Sequence, residues 1–435
     1  MPHDALAEHY PPLSKHEALV EANRCLYCYD APCTHACPTH IDIPKFIKKI
    51  STGNVTGSAR AIWDSNLIGA TCARVCPVQE LCEGACVLNS EHKPIMIGRL
   101  QRAAMDHAYE CGQLPFQPAL STGRAVAIIG AGPAGLSCAG ELARRGHAVT
   151  IFEKRDLGGG LSTYGIIGLR EPVPVALAEV DLIKRLGVKI ETGRELGKNL
   201  DWEALRTKHD AVFLAVGLGQ TPGLGVPGED RILDGLDYIE QSKLNQAGAR
   251  IGRHVAVIGA GNTAIDCATI AKRLGAETVT MIYRRTDREM TAYQHEYDFI
   301  KKEGVVFRFL TQPLAVNLDG DQVTGLTCMR MALGDADASG RPSPVPVPGS
   351  EFVVAVDQIV KAIGQNRPSL AMQLGLKTDR GHIDVSSYLE TSIPGVYAGG
   401  DAIRASGAAS TVMAVQDGKL AAQSIDAALK VQNHG

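Results

Sequence analysis

Eight of the twelve cysteines in this 435-residue chain lie within its first 86 residues. The N-terminus lacks the basic segment and apolar stretch of a secretory signal, so these thiols are expected to stay reduced. Dense, regularly spaced cysteines of this kind favour thiolate ligation of a metal over disulfide formation. They constrain the first hundred residues to fold around one or more metal centres.

The eight cysteines form two groups with different spacings. The first group has the pattern C-x2-C-x4-C-x3-C-P, from Cys25 to Cys37, and the second has C-x3-C-P-x4-C-x3-C, from Cys72 to Cys86. A short loop with three thiolates can hold one face of a [4Fe–4S] cluster, while a fourth cysteine before proline points towards a second cluster. By counting alone, eight cysteines supply four ligands to each of two clusters.

Zinc ribbons and a buried group of thiols are the alternatives to iron–sulfur clusters. Zinc ribbons usually combine two C-x2-C pairs that supply four ligands in total. Only one C-x2-C pair, Cys25 and Cys28, occurs among the eight clustered cysteines. The spacing therefore favours iron–sulfur clusters.

The bulk composition is that of a globular protein with several domains. Hydrophobic residues make up 45% of the chain, charged residues make up 21%, and the formal net charge is -3. The weak net charge gives no electrostatic reason to bind nucleic acid, and no run of about 20 apolar residues suggests a membrane span. We therefore expect a cytoplasmic protein with neither nucleic acid nor membrane as a partner.

A glycine-rich turn that begins at residue 130 has the sequence context of a dinucleotide site. An apolar strand precedes the turn, a helix follows it, and the next strand ends at Glu153. Small residues allow the tight turn, the approach of a pyrophosphate and close helix packing, while the acid can bind ribose hydroxyls. The predicted binding turn consists of Gly130, Ala131, Gly132, Pro133, Ala134 and Gly135.

A second turn of the same kind follows the apolar strand at residues 254–258. It consists of Gly259, Ala260, Gly261, Asn262 and Thr263. The strand after this turn ends in Arg284 and Arg285 with no acid, which favours the 2′-phosphate of NADP over the ribose of NAD. A solvated basic turn is the alternative reading of the two arginines. The turn is therefore predicted to bind NADH or NADPH.

The C-terminal region carries the signals of a second flavin-binding segment. A strand ends at Gly400 and Asp401, whose carboxylate can accept hydrogen bonds from a flavin's ribityl chain. A helix starting near Thr411 can direct its positive N-terminal end at the flavin ring. Ala362 and Gly364 close an apolar strand where the chain would return from the nicotinamide domain. The predicted order is an FAD half, an NAD(P)H domain and a second FAD half.

The predicted fold is an α/β flavoprotein with two Rossmann-type dinucleotide-binding domains and an N-terminal all-α iron–sulfur domain. Within the N-terminal domain, apolar residues that recur from Ile43 to Ile50 predict a helix, followed by a glycine turn and a second helix. The predicted domains are residues 1–118 for the helical domain with two clusters, 124–233 for the first FAD half, 234–358 for the NAD(P)H domain and 359–435 for the second FAD half.

These motifs together resemble one family. From Cys25 to the Asp417-Gly418-Lys419 segment, the chain is similar to the flavin and iron–sulfur part of dihydropyrimidine dehydrogenase, which bacteria make as a separate subunit. The small subunit of glutamate synthase is a wider relative. The chain departs from the family pattern at residues 167–170 and 290–292, which leaves the choice between NADH and NADPH open.

The resemblance implies a set of cluster ligands that differs from the count of cysteines. One cluster is held by Cys25, Cys28, Cys33 and Cys86, and the other by Cys37, Cys76, Cys82 and Gln101. Cys72, which the count includes, is then spare. The resemblance also places Glu153, Lys154, Leu161, Arg170 and Leu196 against FAD, and Arg284 and Arg285 on the nicotinamide side.

The function that the resemblance implies is electron transfer in pyrimidine catabolism. Such a subunit oxidises NAD(P)H at FAD and passes electrons through two [4Fe–4S] clusters to an FMN-containing barrel subunit, which reduces uracil or thymine. A heterotetramer with that barrel subunit is expected. No catalytic side chain is predicted, because hydride transfer from nicotinamide to flavin needs stacking more than an acid or a base.

Two other functions remain open. The chain could be a reductase subunit for glutamate synthase or for a ferredoxin-type acceptor, or a redox-sensing or assembly module whose clusters are only structural. The intact FAD and nicotinamide motifs disfavour the second of these. Cys138 and Cys267 are isolated and are predicted to be core residues, so a redox-active disulfide is not expected.

Overall fold

The computed structural model describes residues 7–244, 251–336, 340–404 and 410–431. Within these ranges the chain divides into two compact units. The larger unit contains residues 9–163, 170–219 and the described residues from 367 onwards, and the smaller contains residues 7–8, 164–169 and the described part of 220–366. The chain therefore passes between the units near residues 219 and 366, whereas the predicted domain boundaries lie at 233 and 358.

Helices and strands alternate through most of the chain. The helices are α1 Lys15–Asn23, α2 Pro32–Ala36, α3 Ile43–Ser51, α4 Val55–Trp63, α5 Gly69–Val75, α6 Ile97–Glu110, α7 Pro133–Arg144, α8 Leu161–Tyr164, α9 Val173–Arg185, α10 Trp202–Lys208, α11 Gly235–Leu244, α12 Asn262–Arg273, α13 Gln294–Lys302, α14 Leu370–Gln373 and α15 Thr411–Val431. The strands are β1 Ala125–Ile129, β2 Ala148–Phe152, β3 Lys189–Glu191, β4 Ala211–Leu214, β5 Leu233–Asp234, β6 His254–Ile258, β7 Thr278–Ile282, β8 Val306–Arg308, β9 Thr311–Asp319, β10 Gln322–Ala336, β11 Pro342–Pro346, β12 Phe352–Val354, β13 Gln358–Lys361, β14 Thr378–Asp379, β15 His382–Ile383 and β16 Val396–Ala398. None of the described helices is both long enough and apolar enough to span a membrane.

The N-terminal part of the larger unit is all-α, as predicted. Residues 7–110 contain helices α1 to α6 and no strand. The four apolar residues that predict the inner face of α3 are all buried. The Asp42 carboxylate accepts a hydrogen bond from the Lys45 N–H at the start of α3, and Gly53, with a φ of 76°, makes the turn into α4. The predicted pair of helices with a glycine turn is therefore confirmed.

A parallel five-stranded sheet follows in the larger unit, with the order β16-β4-β1-β2-β3. Strands β1 and β4 are apolar and almost entirely buried, as expected for inner strands covered on both faces. Because the strands are parallel, the residues that follow their carboxyl ends meet at one edge of the sheet. This edge brings together Gly130 after β1, Glu153 after β2 and Gly399 after β16.

Helices α7 and α15 join the two flavin-binding segments that are far apart in the sequence. A Cβ atom at Gly418 of α15 would overlap the Ala134 carbonyl oxygen of α7, so the glycine permits the close approach of the two helices. The Ser137 hydroxyl also donates a hydrogen bond of 2.8 Å to the Val415 carbonyl oxygen. The two segments therefore form one domain, with its core between the sheet and these helices.

The smaller unit contains a second parallel five-stranded sheet, with the order β5-β13-β6-β7-β8. The second glycine turn connects β6 to α12 at the carboxyl edge of this sheet. Strands β9 to β12 form a separate antiparallel sheet, in which β10 is central and pairs with β9, β11 and β12. The unit thus has the nucleotide-binding framework that the sequence predicts, with an antiparallel sheet added to it.

Candidate functional site

One cavity in the N-terminal helices has thiol groups on its wall. The cysteines that line it are Cys25, Cys28, Cys33 and Cys86. Tyr27 and Asp30, in the loop between the first thiols, both adopt a left-handed backbone conformation with a φ of 51°. Such a conformation is uncommon outside glycine and turns the chain sharply. The loop can thereby face three thiols towards one cavity, which the fourth completes from the second cysteine group.

A second cavity lies in the same helical region. The candidate ligands that line it are Cys37, Cys72, Cys76, Cys82 and Gln101. The Gln101 amide nitrogen donates a 2.8 Å hydrogen bond to the Gly69 carbonyl oxygen, which leaves the amide oxygen as the atom of this side chain able to bind iron. Two effects raise the pKa of Cys76. The larger is a hydrogen bond with Cys72, and the second is burial. The structure therefore places both Cys72 and Gln101 at the second cavity.

The donor set of both cavities suits iron–sulfur clusters. Burial, together with the neighbouring Cys86 and Cys25, raises the pKa of Cys33 to about 11. Burial also raises the pKa of Cys82. Four adjacent thiolates are stable only when a cationic centre compensates for their charge, which iron supplies on binding them. Among the described residues, no three His, Cys, Asp or Glu side chains form a group able to hold a single metal ion.

The first glycine turn has a close backbone contact at Gly130 and open space at Gly132. Gly130 has a φ of 106°, and a Cβ atom there would overlap the Ala215 carbonyl oxygen. A Cβ atom at Gly132 would meet only the Gly160 Cα, at 3.9 Å, so this side of the turn has free space. At the end of β2, the Glu153 carboxylate accepts hydrogen bonds from the Ala131 N–H at 2.8 Å and the Arg155 N–H at 2.9 Å. The turn can admit a pyrophosphate at Gly132.

The second flavin segment reaches the same edge of the sheet. Asp401 lies in a short 3-10 helix after β16, where burial raises the pKa of its carboxyl group. The preceding Gly400 donates its N–H to the Asp417 carboxylate at 2.9 Å, and Asp417 is paired with Arg404. Thr411 is the first residue of α15, as predicted.

The structure brings some of the residues implied by the family resemblance to the flavin turn. Leu161 follows Gly160, which lies opposite Gly132, and Lys154 follows Glu153 directly and is exposed. Leu196 is partly buried against the apolar cluster that includes Phe152. Arg170 is half-buried. The flavin roles of Lys154, Leu161, Arg170 and Leu196 all stay predictions.

Backbone hydrogen bonds from the loop at residues 291–293 hold the second glycine turn in place. A Cβ atom at Gly259 would overlap the Ala362 carbonyl oxygen, so β13 runs close to the turn, and Gly364 follows with a φ of 98°. The Ala260 carbonyl oxygen accepts hydrogen bonds from the N–H groups of residues 291 and 292, at 3.3 and 3.2 Å. The Asn262 side chain accepts a further hydrogen bond of 3.1 Å from the Tyr293 N–H. The departure from the family pattern at residues 290–292 therefore lies against the nicotinamide turn.

The two arginines after β7 have different environments. Arg284 is exposed at the end of the strand. Arg285 is buried, and its Nε donates a 2.8 Å hydrogen bond to the Pro342 carbonyl oxygen. Arg284 is therefore the arginine that is accessible to a 2′-phosphate, while Arg285 fastens β7 to the segment that carries β11.

A buried acidic group next to the second cavity was missed by sequence reasoning. Glu179 of α9 accepts hydrogen bonds from the Ala70 N–H at 2.7 Å and the Thr71 N–H at 3.1 Å, at the start of α5. The Thr71 hydroxyl is hydrogen-bonded to Glu171. Residues 70 and 179 are too far apart in the chain for any local motif to reveal this contact. It fixes the helix that carries Cys72.

Replacing Glu179 with glutamine should remove a pH dependence of stability. Burial raises the pKa of Glu179 from 4.5 to about 8, and the nearby Glu171 adds to the shift. The carboxyl group is then protonated in the folded chain, so its contribution is complete below pH 4.5 and is lost as the pH rises to about 8. We expect Glu179→Gln to be more stable than the unaltered chain at pH 8, on the order of 2 kcal/mol, and similar at pH 4.5.

Urea unfolding of both proteins at the two pH values measures this difference. Glu203→Gln, at an exposed glutamate of α10, is the matched control and should show no pH-dependent difference. An equal effect of Glu179→Gln at both pH values would contradict the assignment of a protonated Glu179.

Two family models match the chain, and together they cover most of it. Residues 124–418 match the model described as pyridine nucleotide-disulphide oxidoreductase. Residues 3–113 match the model described as dihydropyrimidine dehydrogenase domain II, 4Fe-4S cluster. Despite the first description, Cys138 and Cys267 are separate and fully buried, which confirms that they are core residues.

Three curated relatives show different subunit names. The NADPH-Fe(3+) oxidoreductase subunit beta of Geobacter sulfurreducens is 39% identical over 86% of this chain, which spans only 60% of that protein's length. The glutamate synthase [NADPH] small chain of Escherichia coli is 34% identical, covering 96% of this chain and 93% of the relative. The NAD-dependent dihydropyrimidine dehydrogenase subunit PreT of Escherichia coli is 36% identical, covering 94% and 93%.

Solved structures show the same fold in more distant proteins. The thioredoxin reductase of T. acidophilum is 24% identical, with a TM-score of 0.56, and it covers 71% of this chain and 99% of its own. This likeness concerns the fold alone. By its family models and curated relatives, the chain belongs to the pyridine nucleotide-disulphide oxidoreductase family and has an N-terminal 4Fe-4S domain.

Proposed function

We propose that the chain is the electron-transfer subunit of a dihydropyrimidine dehydrogenase, of the type named PreT in Escherichia coli. It oxidises NAD(P)H at FAD and passes electrons through two [4Fe–4S] clusters to an FMN-containing partner subunit, which reduces uracil or thymine to the 5,6-dihydropyrimidine. The observation that carries the proposal is the presence of two separate thiol-lined cavities in the unit that also contains the flavin turn. Two adjacent centres form a route along which electrons can leave.

The residues of the flavin turn bind and orient the cofactor. Bound FAD accepts a hydride from the nicotinamide and supplies the electrons singly to iron–sulfur clusters. Gly132 has no side chain to block a pyrophosphate, and Glu153, fixed by two backbone N–H groups, would bind the ribose hydroxyls. Asp401 would accept hydrogen bonds from the ribityl chain.

The difference in burial between the two sets of cluster ligands supports an order of transfer. In the second cavity Cys37 and Gln101 are buried and Cys76 and Cys82 are half-buried, whereas all four cysteines of the first cavity are half-buried. Val412 of α15, the helix of the flavin domain, lines the second cavity. We propose that electrons pass from FAD to the second cluster, then to the first cluster and out to the partner.

Anaerobic absorbance spectroscopy tests the proposed function. The FAD- and iron-reconstituted chain is titrated with NADH or NADPH, and uracil is then added with and without a candidate FMN-containing subunit. Bleaching by the nicotinamide, with uracil consumption only when that subunit is present, is the expected result. Uracil reduction by the chain alone would contradict the need for a partner, and bleaching with no turnover in any combination would contradict the pyrimidine role.

A glutamate synthase small subunit is the second candidate. The 34% identity to the Escherichia coli small chain, over nearly the full length of both proteins, favours it about as strongly as the similarity to PreT favours the first. The same reduced chain can be offered a glutamate synthase large chain with glutamine and 2-oxoglutarate. Glutamate formation in that mixture, without uracil turnover in the other, would select the second candidate.

The affinity for NADPH is expected to depend on Arg284. A charge-assisted hydrogen bond to a phosphate contributes roughly 1.5–3 kcal/mol, so Arg284→Ala should raise the KM for NADPH about 10- to 100-fold and leave that for NADH nearly unchanged. Steady-state reduction of an artificial acceptor measures both constants. Arg288→Ala, at a second exposed arginine nearby, is the control. An unchanged KM for NADPH would favour the solvated-turn alternative.

A further inference from the structure

One helix of the flavin domain extends along the second thiol-lined cavity. Val412, in the first turn of α15, lines this cavity. Lys419 follows seven residues later, which is about two helical turns, so the two side chains project from the same face of the helix. Lys419 was not among the residues that the sequence motifs assign to any cofactor.

The Lys419 side chain is fixed to the segments that form the cavity wall. Its Nζ donates hydrogen bonds to the Thr39 carbonyl oxygen at 3.0 Å and to the Ser65 carbonyl oxygen at 3.1 Å. The Thr39 hydroxyl in turn lies 3.4 Å from the Cys37 sulfur. Ser65 directly precedes Asn66, which lines the cavity. The ammonium group is therefore held next to the backbone that positions Cys37.

The positive charge of Lys419 is not neutralised by a carboxylate in contact. Among the described residues, Lys419 has no ion-pair partner, and two of its three N–H donors bind carbonyl oxygens. By contrast, Arg74, which lies between two cysteines of the same cavity, is paired with Asp106 at 2.7 Å.

The charged groups near Lys419 include Glu141 and Cys37. Burial lowers the pKa of Lys419, while Glu141 and then Cys37 oppose this change. Glu141 is itself paired with Arg145 at 2.8 Å. Its negative charge is thus shared with an arginine rather than directed at Lys419 alone.

We propose that Lys419 is a positioning residue for electron transfer, which holds a positive charge beside the second cluster and raises the reduction potential of that cluster. Reduction adds one electron, and hence one negative charge, to the cluster. A nearby cation stabilises the added charge, and partial burial limits its screening by water and salt. The charge that α15 carries at Lys419 thereby makes the second cluster a better electron acceptor. This inference rests on the second cluster of the proposed function.

An anaerobic redox titration of the reconstituted holoprotein, with dithionite as reductant and EPR as readout, tests the proposal. Cys82→Ala identifies the signal of the second cluster by its loss. Lys419→Met and Lys419→Gln remove the charge, Lys419→Arg keeps it, and Lys430→Met is the matched control. Lys430 lies on the same helix, exposed and paired with Asp426.

The expected result is a lower midpoint potential of the second cluster in both neutral variants, with the first cluster unchanged. Lys419→Arg should retain most of the original potential, and Lys430→Met all of it. A structural role alone would alter Lys419→Arg and the neutral variants alike, and that outcome overturns the proposal. An unchanged midpoint in either neutral variant overturns it too, and Lys419→Gln decides if Lys419→Met does not accumulate as holoprotein.

Failure of the proposed function is distinguishable in the same experiment. Iron analysis and EPR of the unaltered chain come first. If these show iron in the first site only, the two-cluster function is wrong and the inference falls with it. If both clusters are present and only the potentials fail to respond, the function stands and the role of Lys419 is wrong.

Discussion

A reconstituted chain carrying Cys82→Ala is expected to retain about half of the iron of the unaltered chain and to lose one of two EPR signals. Cys82 lines only the second cavity, so the cluster of the first cavity keeps all four of its thiols. Loss of even an outer partner of a metal ligand typically costs 10- to 100-fold in affinity or activity. Removal of a ligand itself should therefore lower the rate of electron transfer to the partner subunit more than about 100-fold, while NAD(P)H still bleaches the flavin.

Matched variants make this result specific. Cys28→Ala should remove the other half of the iron, because Cys28 lines only the first cavity. Cys111→Ala, at an exposed cysteine outside both cavities, is the control and should keep all of the iron. Loss of the same signal in Cys82→Ala and Cys28→Ala would show one shared centre and contradict the two-cluster proposal.

The same assay assigns the eighth ligand. The family resemblance predicts that Gln101→Ala loses iron from the second site and that Cys72→Ala keeps it. The reverse outcome would make Cys72 the ligand, as the count of cysteines suggests. Both side chains line the cavity, so the structure is compatible with either result.

A chain carrying Gly132→Val is expected to fold and to lose FAD. Gly132 has an extended backbone, with φ -77° and ψ -178°, which valine adopts readily. A Cβ atom there meets only the Gly160 Cα, at 3.9 Å, so the substitution fills the space that the pyrophosphate needs. Loss of several cofactor hydrogen bonds at roughly 1–1.5 kcal/mol each predicts an affinity for FAD lowered by about 100-fold or more.

Flavin fluorescence after ultrafiltration and circular dichroism of the same samples separate binding from folding. Gly168→Val, at a glycine with nothing within 4 Å of a Cβ atom, is the control and should bind FAD normally. Gly130→Ala, unlike Gly132→Val, should impair folding itself, because a side chain at Gly130 would overlap the Ala215 carbonyl oxygen. Full FAD occupancy in Gly132→Val would show that the cofactor does not approach this turn.

The local parts of the fold were predictable from the sequence because short-range patterns encode them. The glycine turns after β1 and β6, the buried face of α3 and the start of α15 at Thr411 all depend on residues close together in the chain. The division of the thiols between two centres was implied by family resemblance and agrees with the two cavities. Spacing alone assigned all eight cysteines and could not choose between Cys72 and Gln101.

The sequence by itself thus determined which cofactor chemistry this chain can carry. The cysteine ligands within each group and the small residues of each glycine turn lie close together in the sequence, so short-range patterns reveal them. Only the tertiary structure decided which partners surround those groups. It separated Arg284 from Arg285, and it brought Glu179 to the start of α5 and Lys419 to the backbone near Cys37. These contacts join residues that are 57 to 380 positions apart, and they arise from the packing of separate elements, which no local pattern records.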